Sequence, residues 1–149
     1  MSRRIAILCC LALLASGAAA RPLAAAPDGL VVDAMVVAAT NADQAATPVA
    51  LAPYADDLRD TFGYNDFQIL GSDTRRLAGL EKNWLIPSRE FYLKVHGSRH
   101  AGVARVYAEL YRDKSLLVGF DAELVPGNPL FIRGPQWGHS QIVIVLVTR

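Results

Sequence analysis

The clearest pattern in the chain is its last one. Ile142 to Val147 are six consecutive apolar residues within Gln141–Thr148 (QIVIVLVT). A strand with one wet face alternates apolar and polar side chains, so an unbroken run predicts a strand buried on both faces. Such a strand needs a cover on each side. Leu30–Ala39 (LVVDAMVVAA), apolar and β-branched with a single charge at Asp33, predicts a second strand. Between them, Leu51, Tyr54, Leu58 and Phe62 recur at spacings of three, four and four, with Asp56, Asp57, Arg59 and Asp60 on the other side. That is one apolar helix stripe, able to supply one of the two covers. Thr47 is its expected N-cap, Pro48 suits the first turn and Gly63 the stop. Pro53 lacks an amide hydrogen and delays the regular helix to about its own position.

After Gly63 the pattern is strand-rich to the end of the chain. Short strands are expected at Phe67–Leu70, Leu77–Leu80, Asn83–Ile86, Phe91–Val95, Leu116–Leu124 and Leu130–Arg133; in Val103–Tyr111 the apolar Val103, Tyr107 and Tyr111 fit a helix face or one side of a strand, and aromatic and β-branched content favours the strand. Between them, Gly71-Ser72-Asp73, Pro87-Ser88, His96-Gly97-Ser98, Asp113-Lys114, Pro126-Gly127-Asn128-Pro129 and Gly134-Pro135 are read as turns. No regular alternation of strand and helix occurs, which argues against a doubly wound parallel sheet. The expected fold class is α+β: mostly antiparallel strands in a two-layer sheet or sandwich with one packed helix.

The start of the chain departs from this pattern. Arg3 and Arg4 precede an uncharged apolar run, Ile5–Ala15, followed by the small residues Ser16–Ala20 (SGAAA). This is the order of a cleavable export signal. Its apolar core is well short of the ~20 residues that a membrane-spanning helix needs. Residues 1–20 are therefore read as a signal peptide, 21–29 as an Ala- and Pro-rich flexible lead-in, and 30–149 as a single globular domain. Both cysteines, Cys9 and Cys10, lie in the apolar core. Leu8 ahead of Cys9 does not suit lipid attachment. Cleavage after Ala20 would leave a cysteine-free domain without disulfide or thiol chemistry, placed in the periplasm or outside the cell.

Charge excludes some partners. The chain carries 15 basic and 14 acidic residues, and losing Arg3 and Arg4 leaves 13 against 14. A near-neutral domain lacks the basic stripe that nucleic acid requires and has no electrostatic reason to sit on an anionic membrane. Lys94, His96, Arg99, His100 and Arg105 form a sparse basic group read as a solvated face.

Candidate chemistry is equally thin. His96, His100 and His139 are the three histidines; with no cysteine in the domain and no HExxH pattern, they do not make a zinc set. No G-x-S-x-G elbow surrounds a serine. Ser98 beside His96 or His100 lacks an evident orienting acid, and Ser140 and His139 are neighbours whose side chains diverge on a strand. No glycine-rich phosphate loop occurs. Asp121 and Glu123, two apart in a strand, share a face and could form a carboxylate pair as in glycosidases, or simply mark a wet surface. No cofactor is called for. The loop Gly134–Ser140 (GPQWGHS) sets Trp137 and His139 between two strands. Its tryptophan either caps the core or is presented to a partner, so Trp137 and His139 are the candidate partner-binding residues.

At Val32–Asn41, Leu51–Leu70 and Gly134–Val147 the chain resembles a group of small exported bacterial proteins of unassigned activity. The shared features are an early strand ending in Ala-Ser/Thr-Asn, a helix ending in L-x-x-x-F-x-Y (here Leu58, Phe62 and Tyr64), an aromatic strand, and a Gly-Pro turn before an aliphatic strand. The resemblance implies no activity and no site residues. Export, a compact core and the lack of a reactive set lead to the expectation of a non-enzymatic domain that binds or scaffolds an unidentified protein or envelope component. A small secreted hydrolase or carbohydrate-active enzyme using Asp121, Glu123 or His139, and a secreted enzyme inhibitor using the Trp137 loop, are the alternatives.

Overall fold

A computed structural model describes residues 30–77, 82–101 and 103–149. The expected leader, the lead-in and most of Leu77–Leu80 lie outside the described residues. Eight strands and one short helical segment follow in order: β1 (Leu30–Thr40), a 3-10 turn (Val49–Tyr54), α1 (Ala55–Phe62), β2 (Asp66–Leu77), β3 (Lys82–Pro87), β4 (Tyr92–His100), β5 (Val103–Arg112), β6 (Ser115–Leu124), β7 (Leu130–Trp137) and β8 (Ser140–Thr148). They form two four-stranded antiparallel sheets, β2-β1-β8-β7 and β3-β4-β5-β6. Within each sheet successive strands pair, and β1 pairs with β8 as well; the chain passes from one sheet to the other between β2 and β3 and returns between β6 and β7.

The central pair β1–β8 shows why the apolar run of β8 does not alternate. Ile142, Ile144 and Leu146 face the second sheet together with Val32, Ala34, Val36 and Ala38. Val143, Val145 and Val147 face the other way, with Met35, Val37 and Ala39, under the helical segment. All six β8 side chains are buried, and burying each aliphatic side chain is worth about 1.5–3 kcal/mol. The two covers expected from the sequence are the two that exist.

The helical cover is local and short. Leu51 and Leu58 are fully buried against the sheet, with Tyr54, Phe62 and Tyr64 partly buried beside them. Gly63 stops α1 in the left-handed region at φ 76°, its N–H donating to the Arg59 carbonyl. Two details differ from the expectation. Pro53 lies inside a 3-10 turn and the α-helix starts only at Ala55. Thr47 is not an N-cap: its Oγ1 accepts from Arg59 Nη2 at 3.1 Å, and neither helical start has a side-chain cap. The loop after β1 is pinned to β2 instead. Asn65 exchanges two hydrogen bonds with the Ala42 backbone, Asn41 Oδ1 accepts from the Asn65 N–H, and Asp66 Oδ1 accepts from the Ala46 N–H.

Three segments read as turns are strand interior. Gly71-Ser72-Asp73 continues β2 past a register shift opposite Val36 and Val37, His96-Gly97-Ser98 runs through the middle of β4, and Gly134-Pro135 sits at a register shift within β7. The physical reason is close approach rather than chain reversal. A Cβ on Gly97 would lie 2.6 Å and 3.0 Å from the two methyl carbons of Leu77 and 3.0 Å from the Trp84 ring. One on Gly71 would meet the Pro87 carbonyl oxygen at 2.5 Å, and one on Gly134 the Ile142 carbonyl oxygen at 3.1 Å. The chain does reverse at Asp113-Lys114, both with positive φ, as a two-residue hairpin demands.

This packing sets an expected outcome for two glycines. Gly97→Ala forces a methyl into Leu77 and Trp84 and should lower unfolding free energy by about 1–3 kcal/mol. Gly119→Ala, whose added carbon meets nothing closer than 3.6 Å, should stay within about 0.5 kcal/mol. Urea unfolding followed by tryptophan fluorescence measures both; equal effects would contradict the packing described.

Candidate binding face

The two sheets differ in how their outer faces end. The outer face of β2-β1-β8-β7 carries the helical segment. That of β3-β4-β5-β6 has no described residue lying over it. β5 shows the consequence most plainly: Ala104, Val106, Ala108 and Leu110 point inward and are buried, while Val103, Arg105, Tyr107, Glu109 and Tyr111 point outward.

Strand register builds the outer face as cross-strand rows. One row is Ser98, Arg105 and Glu123; the next contains His96, Tyr107 and Asp121; the third is Leu85, Lys94, Glu109 and Gly119; the fourth contains Pro87, Tyr92, Tyr111 and Leu116. Aromatic rings cluster along it. Tyr92 and Tyr111 stack with centroids 5.0 Å apart and planes 5° from parallel, and His96 lies against Tyr107 at 5.9 Å. Large apolar groups remain in solvent, with Leu85 56% and Tyr107 43% exposed. Charges are paired across strands: Lys94 Nζ lies 3.6 Å from Glu109 Oε2, and Arg105 Nε donates to Glu123 Oε1 at 3.1 Å.

A shallow hollow of about 360 Å³ opens in this face, lined by His96, Ser98, Arg105, Tyr107 and Asp121 among others. It gathers a serine, a histidine and an aspartate, a proximity that sequence spacing did not reveal because Asp121 arrives from two strands away. The arrangement is not a triad. Tyr107 stands between His96 and Asp121 in the row, and no hydrogen bond among the described residues joins Ser98 to His96 or His96 to Asp121. The Tyr107 hydroxyl donates to Glu109 Oε1 at 3.0 Å. That bond, then desolvation, then the negative charges of Glu109 and Asp121, raise the Tyr107 phenol above its ordinary value. For Tyr111, desolvation acts first and the Glu109 charge second, in the same direction.

The residues singled out in the sequence fall in different places. Asp121 and Glu123 do share the outer face of β6, where Glu123 is tied to Arg105. His139 is exposed in the β7–β8 turn of the other sheet, its carbonyl 3.5 Å from Thr40 Oγ1. The fold therefore does not gather Asp121, Glu123 and His139 into one site. Trp137 is half-buried against the core, edge-on to Phe91 with ring centroids 5.4 Å apart; of its two readings, the geometry is that of a core cap. His96 and His100 lie along one strand rather than in a turn. Among the described residues no group of three His, Cys, Asp or Glu side chains could hold a metal ion, and no helix is long and apolar enough to cross a membrane. Tyr92, Tyr107, Tyr111 and Leu85 were not singled out from sequence. The signal was available in the alternation of Val103–Tyr111, whose outward positions are aromatic and charged.

The raised phenol has a measurable counterpart. In the Glu109→Gln variant the Tyr107 phenol should titrate closer to its ordinary value near pH 10, read by carbon NMR of labelled tyrosine. Because the folded value lies above the unfolded one, any stability linked to this group is present below the unfolded value and lost as pH rises through the folded one. An unchanged Tyr107 titration in the variant would remove Glu109 as the principal cause.

Comparison with family models, with curated proteins and with solved structures finds no match to this chain.

Proposed function

We propose that this is an exported, non-catalytic domain that binds or scaffolds a component of the cell envelope or exterior, and that it does so through the outer face of β3-β4-β5-β6. The observation that carries the reading is the mismatch between that face and plain solvent. Solvated sheet faces are usually polar, whereas this one presents Leu85, Tyr92, Tyr107 and Tyr111 together with paired charges. Aromatic and apolar anchors within a polar rim are what protein-binding surfaces concentrate. Export is supported by the cationic, apolar and small-residue order of residues 3–20, and the likeness to small exported proteins points the same way.

The catalytic alternative has less to support it. Asp121 lies beside Tyr107 without a paired acid or base, and Glu123 is held by Arg105. The inhibitor alternative needs a projecting Trp137, whereas this ring packs edge-on to Phe91.

Affinity capture from an envelope fraction tests the proposal. Wild-type protein should retain a reproducible partner, and Leu85→Glu and Tyr107→Glu should each cut recovery at least about tenfold, the equivalent of 1.4 kcal/mol, while Trp137→Phe leaves it unchanged. Retention by both face variants, each still showing a cooperative unfolding transition, would overturn the assignment of this face.

A further inference from the structure

We infer that the outer face of β3-β4-β5-β6 is occupied by the same face of a second copy, related by a two-fold axis that runs along the strands between β4 and β5. This rests on the reading of that face as a binding surface and names its partner.

The argument starts from the strand grid. When two identical sheets meet face to face about an axis parallel to their strands, rows are kept and strand positions exchange. With the axis between β4 and β5, β4 of one copy lies over β5 of the other, and β3 lies over β6. Each row can then be read against itself in reverse. Lys94 meets Glu109 of the second copy, so each cation gains a second carboxylate. His96 meets Tyr107, Tyr92 meets Tyr111, and Ser98 meets Arg105. On the flanks, the protruding Leu85 meets Gly119, which has no side chain, and Pro87 meets Leu116. Among the pairs named, apolar falls on apolar or on open space, aromatic on aromatic, and no like charges confront each other.

Other axes do worse. Moving the axis onto β5 sets Arg105 against Arg105 and Glu109 against Glu109 of the second copy. Turning it across the strands, between the His96 and Lys94 rows, pairs Lys94 with His96 and removes it from Glu109 of the second copy. An isologous interface must be self-complementary, and like charges brought together cost several kcal/mol. The grid satisfies that demand for the axis between β4 and β5. Sheets packed face to face cross at about 30°, which displaces the corners most and the central rows least.

Size is adequate too. Four strands about 4.8 Å apart, with β5 ten residues long at ~3.4 Å per residue, span about 19 by 34 Å. Because β3 and β4 are shorter, with six and nine residues, the face covers ~570 Å² per copy and ~1,100 Å² for the pair, above the ~1,000 Å² that a specific interface should clear.

The test uses the full chain carrying Cys9→Ser and Cys10→Ser, so that introduced thiols are the only ones. Sedimentation at about 100 μM, which populates any dimer with Kd of about 10 μM or tighter, should show a dimer. Lys94→Glu should weaken it at least about tenfold, and Leu85→Arg should do the same by a different route. Adding Leu85→Cys to one batch and Gly119→Cys to another, then mixing them, should give a cross-linked pair with a bis-maleimide reaching the ~10 Å between facing sheets; neither batch alone should link. A monomer at this concentration overturns the inference, as does a dimer that survives Lys94→Glu and Leu85→Arg, or one that links like with like. A monomer whose capture of an envelope component still depends on Leu85 and Tyr107 leaves the proposed function standing, whereas loss of both dependences removes that as well.

Discussion

Between the pairing of Val32 with Thr148 at one end and Ala39 with Gln141 at the other, β1 and β8 lie side by side with both faces out of water. This antiparallel ladder is the constraint on which the remaining structure depends. It joins the first strand of the domain to the last, so the meander between them must leave the ladder through β2 and return through β7. Its two apolar faces then have to be covered separately. One is met by the sheet β3-β4-β5-β6 and the other by Leu51 and Leu58 of the helical segment. Polar groups within the ladder are provided for locally. Gln141, buried in β8, donates through Nε2 to the carbonyls of Gly134 and Ile142 at 2.7 Å and 3.0 Å, which also holds the irregular part of β7 in place. A long-range closure of this kind makes the fold non-local, and folds of high contact order assemble slowly.

Much of this was legible in residue order. The unbroken run from Ile142 to Val147 dictated burial on both faces, and the stripe Leu51–Tyr54–Leu58–Phe62 dictated which segment supplied one cover. Val103–Tyr111 fits a helix face or a strand by spacing alone, and its aromatic and β-branched content favours the strand that forms. The misread turns share one cause. At Gly71, Gly97 and Gly134 a glycine beside a polar residue or proline reads as a reversal, while its role is to let another part of the structure approach the backbone. At Gly97 that neighbour is Leu77 with Trp84, at Gly71 it is Pro87, and at Gly134 it is Ile142. A glycine that turns the chain and one that admits a neighbour look alike until the neighbour is known, and all these neighbours are distant in sequence or set by pairing. The same blindness hid the candidate face. His96, Tyr107 and Asp121 become a row only once β4, β5 and β6 are in register.

The positions on which the sequence suggests a likeness to small exported proteins have a physical role in this fold. Asn41 caps the end of β1 by accepting the Asn65 N–H, and Leu58, Phe62 and Tyr64 are the side chains that hold the helical segment against Val143, Val145 and Val147. Phe62 also packs edge-on to Phe131 of β7 at 6.5 Å, with the Arg133 guanidinium 5.4 Å from its ring. These positions serve the covered sheet. None of them reaches the exposed face of the other one.

That division sets a sheet covered on both sides apart from one with an open outer face. Sheet β2-β1-β8-β7 is buried on both sides of its central pair, and substitution there acts on the core. On β3-β4-β5-β6 the inward positions hold the fold while the outward ones are free to differ, since β-strand alternation sends them to opposite faces. Their composition is therefore informative. Fold stability alone would be served by Thr, Lys and Glu on a wet face. Tyrosines stacked at 5.0 Å and a leucine left 56% exposed instead keep apolar area in water that a partner could cover. The ion pairs Lys94–Glu109 and Arg105–Glu123 fit the same purpose. They are formed before any contact is made, so a partner meets charges whose side chains are already ordered, and less conformational entropy is lost on association.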